Sequence, residues 1–412
     1  MRGIRKAGGR QEEIKRPKRG DTMLLSGLTI YAEDRLIENG YLVIDGGKIA
    51  AIGEGEPNDA GRYGRHVRFD GKHKLIPGMI DIHIHGAAGA DTMDATPDAL
   101  MTIAKALPKE GTTSFLATTI TQKPEAIESA LENVRTYMDD QPAGAAEVLG
   151  VHLEGPFINA AKAGAQPIEY IKSGDPDLFE RWQKRSGDRI KVVTLAPEID
   201  RGMELVKRLR DLGIVASIGH SAASFAEVTE AVRAGARHVT HLYNGMNGLH
   251  HRHPGVVGAA FLHEELFAEM IVDGVHISPE AVDIAYRLKG KDRIILITDA
   301  MRAKGLDDGT YDLGGQAVHV KDGVATLSGG QLAGSVLKMD QALRNMMRFT
   351  GADLADVIQM GAINPAIQIG VYDRKGSIRE GKDADLVVLN ERDEPVLTLC
   401  NGTVAYDRHK AS

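Results

Sequence analysis

The chain has 412 residues, more than a single hydrophobic core usually organises unless one large barrel carries an appendage. Its hydrophobic share of 42% and charged share of 26% are ordinary for a globular protein, and a net charge of −7 argues against nucleic acid as the main partner. The single cysteine, Cys400, excludes an intramolecular disulfide and points to a reducing, cytoplasmic setting. No apolar run reaches the ~18 residues of a transmembrane helix, so no membrane partner is expected.

Residues 1–22 hold eight Lys or Arg against three acids and almost nothing apolar. That composition predicts a basic, disordered leader without the apolar core of a secretory signal, the folded part beginning at Met23; an arm for an anionic partner is the other reading. From residue 24 to 52, short apolar stretches alternate with turn residues such as Asp45-Gly46-Gly47, the texture of antiparallel strands joined by hairpins. The same texture returns at 376–389 and 396–406. The two ends are therefore expected to pair into one small β-sandwich domain, from residues 23–75 and 371–412, flanking a central region at 76–370.

That central region alternates strand-like apolar runs with helical patterns. The runs fall at 79–85, 113–118, 148–154, 190–196, 214–220, 238–242, 267–272 and 294–299. Thr96-Pro97 supplies an N-cap and a first-turn proline before Leu100, Ile103 and Leu107. Ser224 with Glu227 is a capping box whose helix closes at Gly235, and Ser278-Pro279 opens another that ends at Gly290. Eight such units predict an α/β fold, a TIM-type (β/α)8 barrel. A doubly wound sheet is the alternative, but no early strand is followed by a G-x-G-x-x-G turn. After the eighth strand, residues 305–330 are rich in Gly and Asp and read as a β-hairpin near the barrel mouth.

The polar residues of the central region gather at strand ends. In M-I-D-I-H-I-H-G, isoleucines alternate with Asp81, His83 and His85, placing both histidines on one face of a strand. Strand three ends at Glu154, strand five at His220, strand six at His241, strand seven near Asp273 and His276, and strand eight at Asp299. In a barrel these ends share one rim, where such folds keep their active sites. Imidazoles and carboxylates converging there are the donor set of a zinc or iron hydrolytic centre. Taken singly, each residue has a plainer reading: a core histidine, a helix cap at Asp299, a surface pairing for Glu154.

The stretches P-G-M-I-D-I-H-I-H-G, H-L-E-G-P-F-I-N, I-G-H-S-A-A-S, H-L-Y-N-G-M-N, H-R-H-P-G, D-G-V-H-I-S-P, I-T-D-A-M and L-A-G-S together resemble the amidohydrolase superfamily and, within it, the N-acetylglucosamine-6-phosphate deacetylases. The likeness covers nearly the whole chain from Met23. It implies a metal-dependent deacetylation of an amino-sugar phosphate, with one or two divalent ions per subunit, zinc or iron. Glu154, His220 and His241 would bind the ion common to the family; His83 and His85 would complete a second site with Glu154 bridging and Asp299 adjoining. Asp299 resembles the catalytic acid/base, and His276 a donor to the substrate carbonyl. Asn244, Gly245, Arg252, His276, Leu332, Ala333, Gly334 and the Ala165-Gln166 loop resemble substrate contacts. Ala165-Gln166 departs from the Thr-His of some members. Arg252 is implied to reach the sugar phosphate of a neighbouring subunit, hence a homodimer. The rival readings are a related amidohydrolase, such as a deacetylase for the galactosamine epimer, and a non-catalytic barrel.

Overall fold

The computed structural model describes residues 22–57 and 60–410; the leader expected at 1–22 lies outside the described residues except for Thr22. Thr22 is buried and pairs with Asp45, so the fold is already under way one residue before Met23.

Eight parallel strands form the centre: β1 (Met79–Ile84), β2 (Thr112–Thr119), β3 (Glu147–Glu154), β4 (Ile190–Leu195), β5 (Val215–Ile218), β6 (His238–Val239), β7 (Phe267–Ile271) and β8 (Ile294–Ile297). They neighbour one another in sequence order, and a parallel bridge from Ile84 to Ala300 joins β1 to the end of β8. A helix follows each strand: α1 (Pro97–Ala106), α2 (Pro124–Asp139), α3 (Pro176–Arg185), α4 (Gly202–Asp211), α5 (Phe225–Ala234), α6 (Gly255–Leu262), α7 (Pro279–Lys289) and α8 (Met339–Thr350). This is the (β/α)8 barrel expected from the alternation. The caps fall where the sequence put them. Thr96 accepts from the Ala99 amide, Ser224 and Glu227 close a reciprocal box, and Ser278 accepts from Ala281, each worth about 1 kcal/mol.

The barrel has an apolar outside and a polar inside. Ile80, Ile82 and Ile84 join the apolar core, which includes the buried faces of the helices. The alternate residues meet buried polar groups. The Thr298 hydroxyl donates to Asp81 at 2.5 Å, that of Thr194 to His152 Nε2 at 2.7 Å, and Thr194 and Ser217 both bond the Thr240 hydroxyl. A barrel axis packed with polar side chains sacrifices apolar burial, and it supports the rim above it.

The chain ends build one seven-stranded sheet, in the order Thr403–Asp407, Pro395–Cys400, Leu386–Leu389, Arg65–Pro77, Thr22–Tyr31, Leu36–Asp45, Lys48–Glu54. Two of its hairpins turn on Gly46–Gly47 and Asn401–Gly402, all four residues at positive φ as two-residue primed turns require. The Ile49 amide reaches back to the Lys382 carbonyl, so the sheet folds over a second apolar cluster that includes Leu25, Ile49, Leu386 and Leu399. The long strand Arg65–Pro77 was not anticipated. Its charged R-H-V-R-F-D-G-K-H-K hides a central strand that pairs with strands from both chain ends, and the expected division at residues 75 and 76 falls within it. In 376–389 only Leu386–Leu389 is strand. The segment before it carries Arg374 and the buried Lys375, whose charges meet Glu147 at the start of β3 at 2.6 and 2.8 Å and tie the end sheet to the barrel. The expected hairpin after β8 is a three-stranded sheet: Gly309–Leu313 precedes the two anticipated strands, Gln316–Lys321 and Val324–Leu327. No helix among the described residues is long and apolar enough to cross a membrane.

Candidate metal centre and active site

Six side chains from five strand ends meet at the barrel mouth. Glu154 Oε1 lies 3.2 Å from His220 Nε2 and 3.3 Å from His241 Nε2, and those two nitrogens are 3.2 Å apart. Beside this group, His83 Nε2 and His85 Nε2 lie 3.3 and 3.2 Å from Asp299 Oδ1. Glu154 joins the two groups, 3.4 Å from His83 and 3.3 Å from His85. Metal–ligand bonds of about 2.0–2.2 Å at tetrahedral angles separate neighbouring ligand atoms by about 3.3–3.6 Å. The measured spacings agree with that edge length to within about 0.2 Å, whereas four buried imidazoles have no reason to crowd so in an apolar core.

The local backbone explains how short strands aim these groups inward. His220, His241 and Asp299 all sit at positive φ, 46°, 30° and 49°, a strained conformation for non-glycine residues that is common at functional sites. Neighbouring bonds hold it: the Asp299 amide donates to the His83 carbonyl and its own carbonyl accepts from Ser335, both at 2.8 Å. Gly245 gives close access, since a Cβ there would stand 3.1 Å from His220 Nδ1.

Three of the four candidate ligand rings have their tautomer set from behind, while His85 Nδ1 is buried with no hydrogen-bond partner among the described residues. His220 Nδ1–H donates to the Lys162 carbonyl at 2.8 Å, His241 Nδ1–H to the Asn244 carbonyl at 3.0 Å, and His83 Nδ1–H to Glu269 at 2.9 Å. In the neutral form all three therefore carry their proton on Nδ1 and leave Nε2 as the ligand nitrogen. Among the described residues His83 Nε2 is buried without a hydrogen-bond partner, an orphan that a cation would satisfy. Burial works against charge on His85, but hydrogen bonds to Asp299 and Glu154 outweigh it and push the ring up to about 10. Burial likewise raises Glu154, yet His83 and bonds from His220 and His241 hold its carboxyl well below the usual range. So negative carboxylates draw either protons or a cation to the nitrogens, and a divalent ion competes for those places. A third group, His83 with His152 and Glu269, does not suit an ion. His152 donates from Nδ1 to the Ile82 carbonyl and accepts from Thr194 at Nε2, and burial followed by His83 lowers it to about 3.

A cavity of about 260 Å³ opens on the centre, lined by His85, Glu154, His220, His241, His276 and Asp299. Ile120, Gly164, Ala165, Gln166, Asn244, Gly245, Leu332 and Gly334 complete its walls, with Gln331 and Leu313 from the insert region. His276 is fixed by Asp273, which accepts its Nδ1–H at 2.7 Å and its amide at 2.8 Å. Burial opposes charge on His276, but the Asp273 bond prevails and raises its pKa. A larger depression of about 560 Å³, between Phe267, Leu288, Arg293 and Ile367, lies away from these ligands.

Three of the expected substrate contacts differ in their setting. Ala333 is fully buried in a small apolar cluster with Met301 and Val318, behind the wall rather than in it. Gln166 is 5% exposed and committed, its Nε2 donating to Glu154 Oε2 at 2.7 Å and its Oε1 accepting the Thr121 amide at 2.8 Å. Arg252 lies on an exposed loop against His251, outside the cavity of its own chain. Glu269 belongs to none of the motifs above; its one signal in the sequence is an acid within the apolar strand F-A-E-M-I.

Comparison with known proteins places this geometry. The amidohydrolase family model matches residues 75–405. The N-acetylglucosamine-6-phosphate deacetylase of Bacillus subtilis (strain 168) is 47% identical over 388 residues, covering 94% of this chain and 98% of that protein. The N-acetylgalactosamine-6-phosphate deacetylase of Escherichia coli O157:H7 is 37% identical, covering 90% of this chain and 95% of that protein. Among solved structures, a mutant N-acetyl-D-glucosamine-6-phosphate deacetylase from Mycobacterium smegmatis in complex with N-acetyl-D-glucosamine-6-phosphate superposes with a TM-score of 0.88 at 29% identity, covering 94% of this chain and 100% of that one. The Thermotoga maritima enzyme gives 0.83 at 36% identity, covering 93% and 100%. With most of its length matched by the family model and by relatives well above 30% identity, the chain belongs to the amidohydrolase family.

Proposed function

We propose that this protein hydrolyses the acetamide of N-acetylglucosamine 6-phosphate to glucosamine 6-phosphate and acetate, a step of amino-sugar catabolism and recycling in the cytoplasm. The observation that carries the reading is the pair of ligand groups sharing Glu154, with Asp299 at their edge, in a chain 47% identical to an enzyme of that name across nearly its whole length. Glu154, His220 and His241 would hold one divalent cation, and His83, His85 and Asp299 with Glu154 a second; zinc and iron both suit nitrogen and carboxylate donors. Such an ion, when bound, lowers the pKa of water toward 7 and polarises a carbonyl.

The protein's own residues supply the rest. Asp299 takes a proton from the attacking water and delivers it to the nitrogen as the C–N bond breaks, since an amine leaves badly unprotonated. His276, held by Asp273, donates to the carbonyl oxygen as negative charge gathers there, worth roughly 3 kcal/mol when well aimed. Leu332, Gly334 and Ala165 shape the sugar pocket, and the Asn244–Gly245 backbone lines its side. Arg252 points the reading to a homodimer: it lies outside its own cavity, and a guanidinium grips a phosphate dianion through paired N–H donors.

The test is acetate release from N-acetylglucosamine 6-phosphate, with metal quantified on the same sample and the galactosamine epimer run in parallel. Release from the first sugar in proportion to metal content is expected. A preference for the epimer would move the substrate to the activity named for the Escherichia coli relative, and no release from either would overturn the proposal.

A further inference from the structure

Glu269 is fully buried on β7 and lines no part of the cavity, so it cannot touch a substrate. Yet its carboxylate receives three donors. Oε2 accepts His83 Nδ1–H at 2.9 Å and the His241 backbone amide at 3.2 Å, and Oε1 accepts His238 Nε2–H at 3.1 Å. The His238 tautomer is itself fixed, because Gln368 Nε2 donates to its Nδ1 at 3.1 Å. One carboxylate thus binds the back of a ligand in one group and the backbone of a ligand in the other. A buried charge is tolerated only where its oxygens are satisfied in this way.

We propose that Glu269 is a positioning residue for the metal centre: it holds His83 as an Nε2 ligand and sets the register between the two ligand groups, so that filling of the His83–His85–Asp299 site depends on it. The inference rests on the metal-dependent reading above. Three physical effects act together. The Nδ1–H bond excludes the tautomer that would put a proton on Nε2. The negative charge behind the ring raises its basicity as a ligand. The bond to the His241 amide helps pin a residue at φ 30°, so the His241 ring is carried by the same carboxylate. Glutamine in this place has one oxygen for three donors, and its NH2 must face another N–H. Loss of acceptors at the back of His83 therefore frees the ring to turn or to change tautomer. The Glu154–His220–His241 group keeps two tautomer-setting carbonyls, from Lys162 and Asn244, and is expected to suffer less.

The experiment titrates metal-stripped full-length protein with Zn²⁺ by calorimetry, for the parent, Glu269→Gln and His83→Gln. The parent is expected to bind two equivalents. Glu269→Gln should keep the tighter one and bind the other about 10–100-fold more weakly, approaching His83→Gln. Two equivalents at parental affinity in Glu269→Gln, or a single equivalent in the parent, would overturn the inference; a parent that binds no Zn²⁺ would sink the metal-dependent reading itself. Should Glu269→Gln fail to fold, the parent decides alone. With ¹⁵N-labelled histidine, its spectrum should contain a strongly downfield, slowly exchanging ring N–H that disappears in His83→Gln, and absence of that signal overturns the assignment.

Discussion

Asp299→Asn isolates proton transfer from metal binding. The carboxylate lies 3.2 Å from His85 Nε2 and 3.3 Å from His83 Nε2, with its side chain 13% exposed to the cavity. Asparagine keeps the shape and one carbonyl oxygen for a cation, but near neutral pH it can neither accept nor return a proton. General acid–base catalysis by one positioned group contributes about 10²–10⁴-fold. In the proposed mechanism one carboxylate serves both the attack and the departure of the amine, so the loss should lie at the upper end, near 10⁴-fold, or about 5.4 kcal/mol in the barrier. Acetate release measured at saturating substrate, with metal content determined on the same preparation, separates the two roles. Full metal content with turnover above a tenth of the parent's would refute the acid/base assignment. Low metal content would instead mark Asp299 as chiefly a ligand.

The remaining predictions concern stability, phosphate and the ion itself. Burial raises Glu147, but hydrogen bonding to Arg374 and the charge of Lys375 overcome that and bring it down to about 2, against about 4.5 when exposed. A depressed carboxyl stabilises the fold above its unfolded pKa and loses that contribution as pH falls toward the folded value. Glu147→Gln should therefore destabilise by about 3 kcal/mol at pH 7, with a gap that narrows below pH ~4.5 in denaturant titrations. A gap independent of pH would show that packing rather than charge carries the effect. Arg252→Ala should raise KM for the phosphorylated sugar far more than for N-acetylglucosamine; equal changes would remove the phosphate role. Stripping the metal should abolish turnover and lower Tm by a few degrees, since an ion at 1,000 times its Kd stabilises by ~4 kcal/mol, and re-added Zn²⁺ should restore both. Unchanged melting would mean the clustered ligands hold no ion.

The barrel was legible because its information is periodic and local. Isoleucines alternating with Asp81, His83 and His85 declare which face of β1 turns inward, and Thr96, Ser224 and Ser278 declare helix starts by hydrogen bonds within a few residues. Strand Arg65–Pro77 was not legible because its charged residues resemble a loop, and its partners are distant in sequence, Thr22–Tyr31 on one side and Leu386–Leu389 on the other. Gly309–Leu313 was missed for a related reason: its pairing with Gln316–Lys321 is local, but T-Y-D-L is too short and polar to stand out.

At the site the division is finer. Residue type shows that a histidine stands at a strand end, but not which ring nitrogen is bare. That is decided by whatever accepts from the other nitrogen, and for His220 and His241 the acceptors are main-chain carbonyls, of Lys162 and Asn244, which no residue type advertises. For His83 the acceptor is a side chain, Glu269, separated from it by 186 positions. Gln166 makes the same point in reverse. Its type and place invite a substrate contact, and the structure adds a second engagement that type alone does not show: its amide bonds Glu154 at one end and the Thr121 backbone at the other, so it also holds the carboxylate between the two ligand groups. The ligands of such a centre can thus be read from strand ends, whereas the groups that make them competent lie behind the rings and come into view only when the strands are assembled.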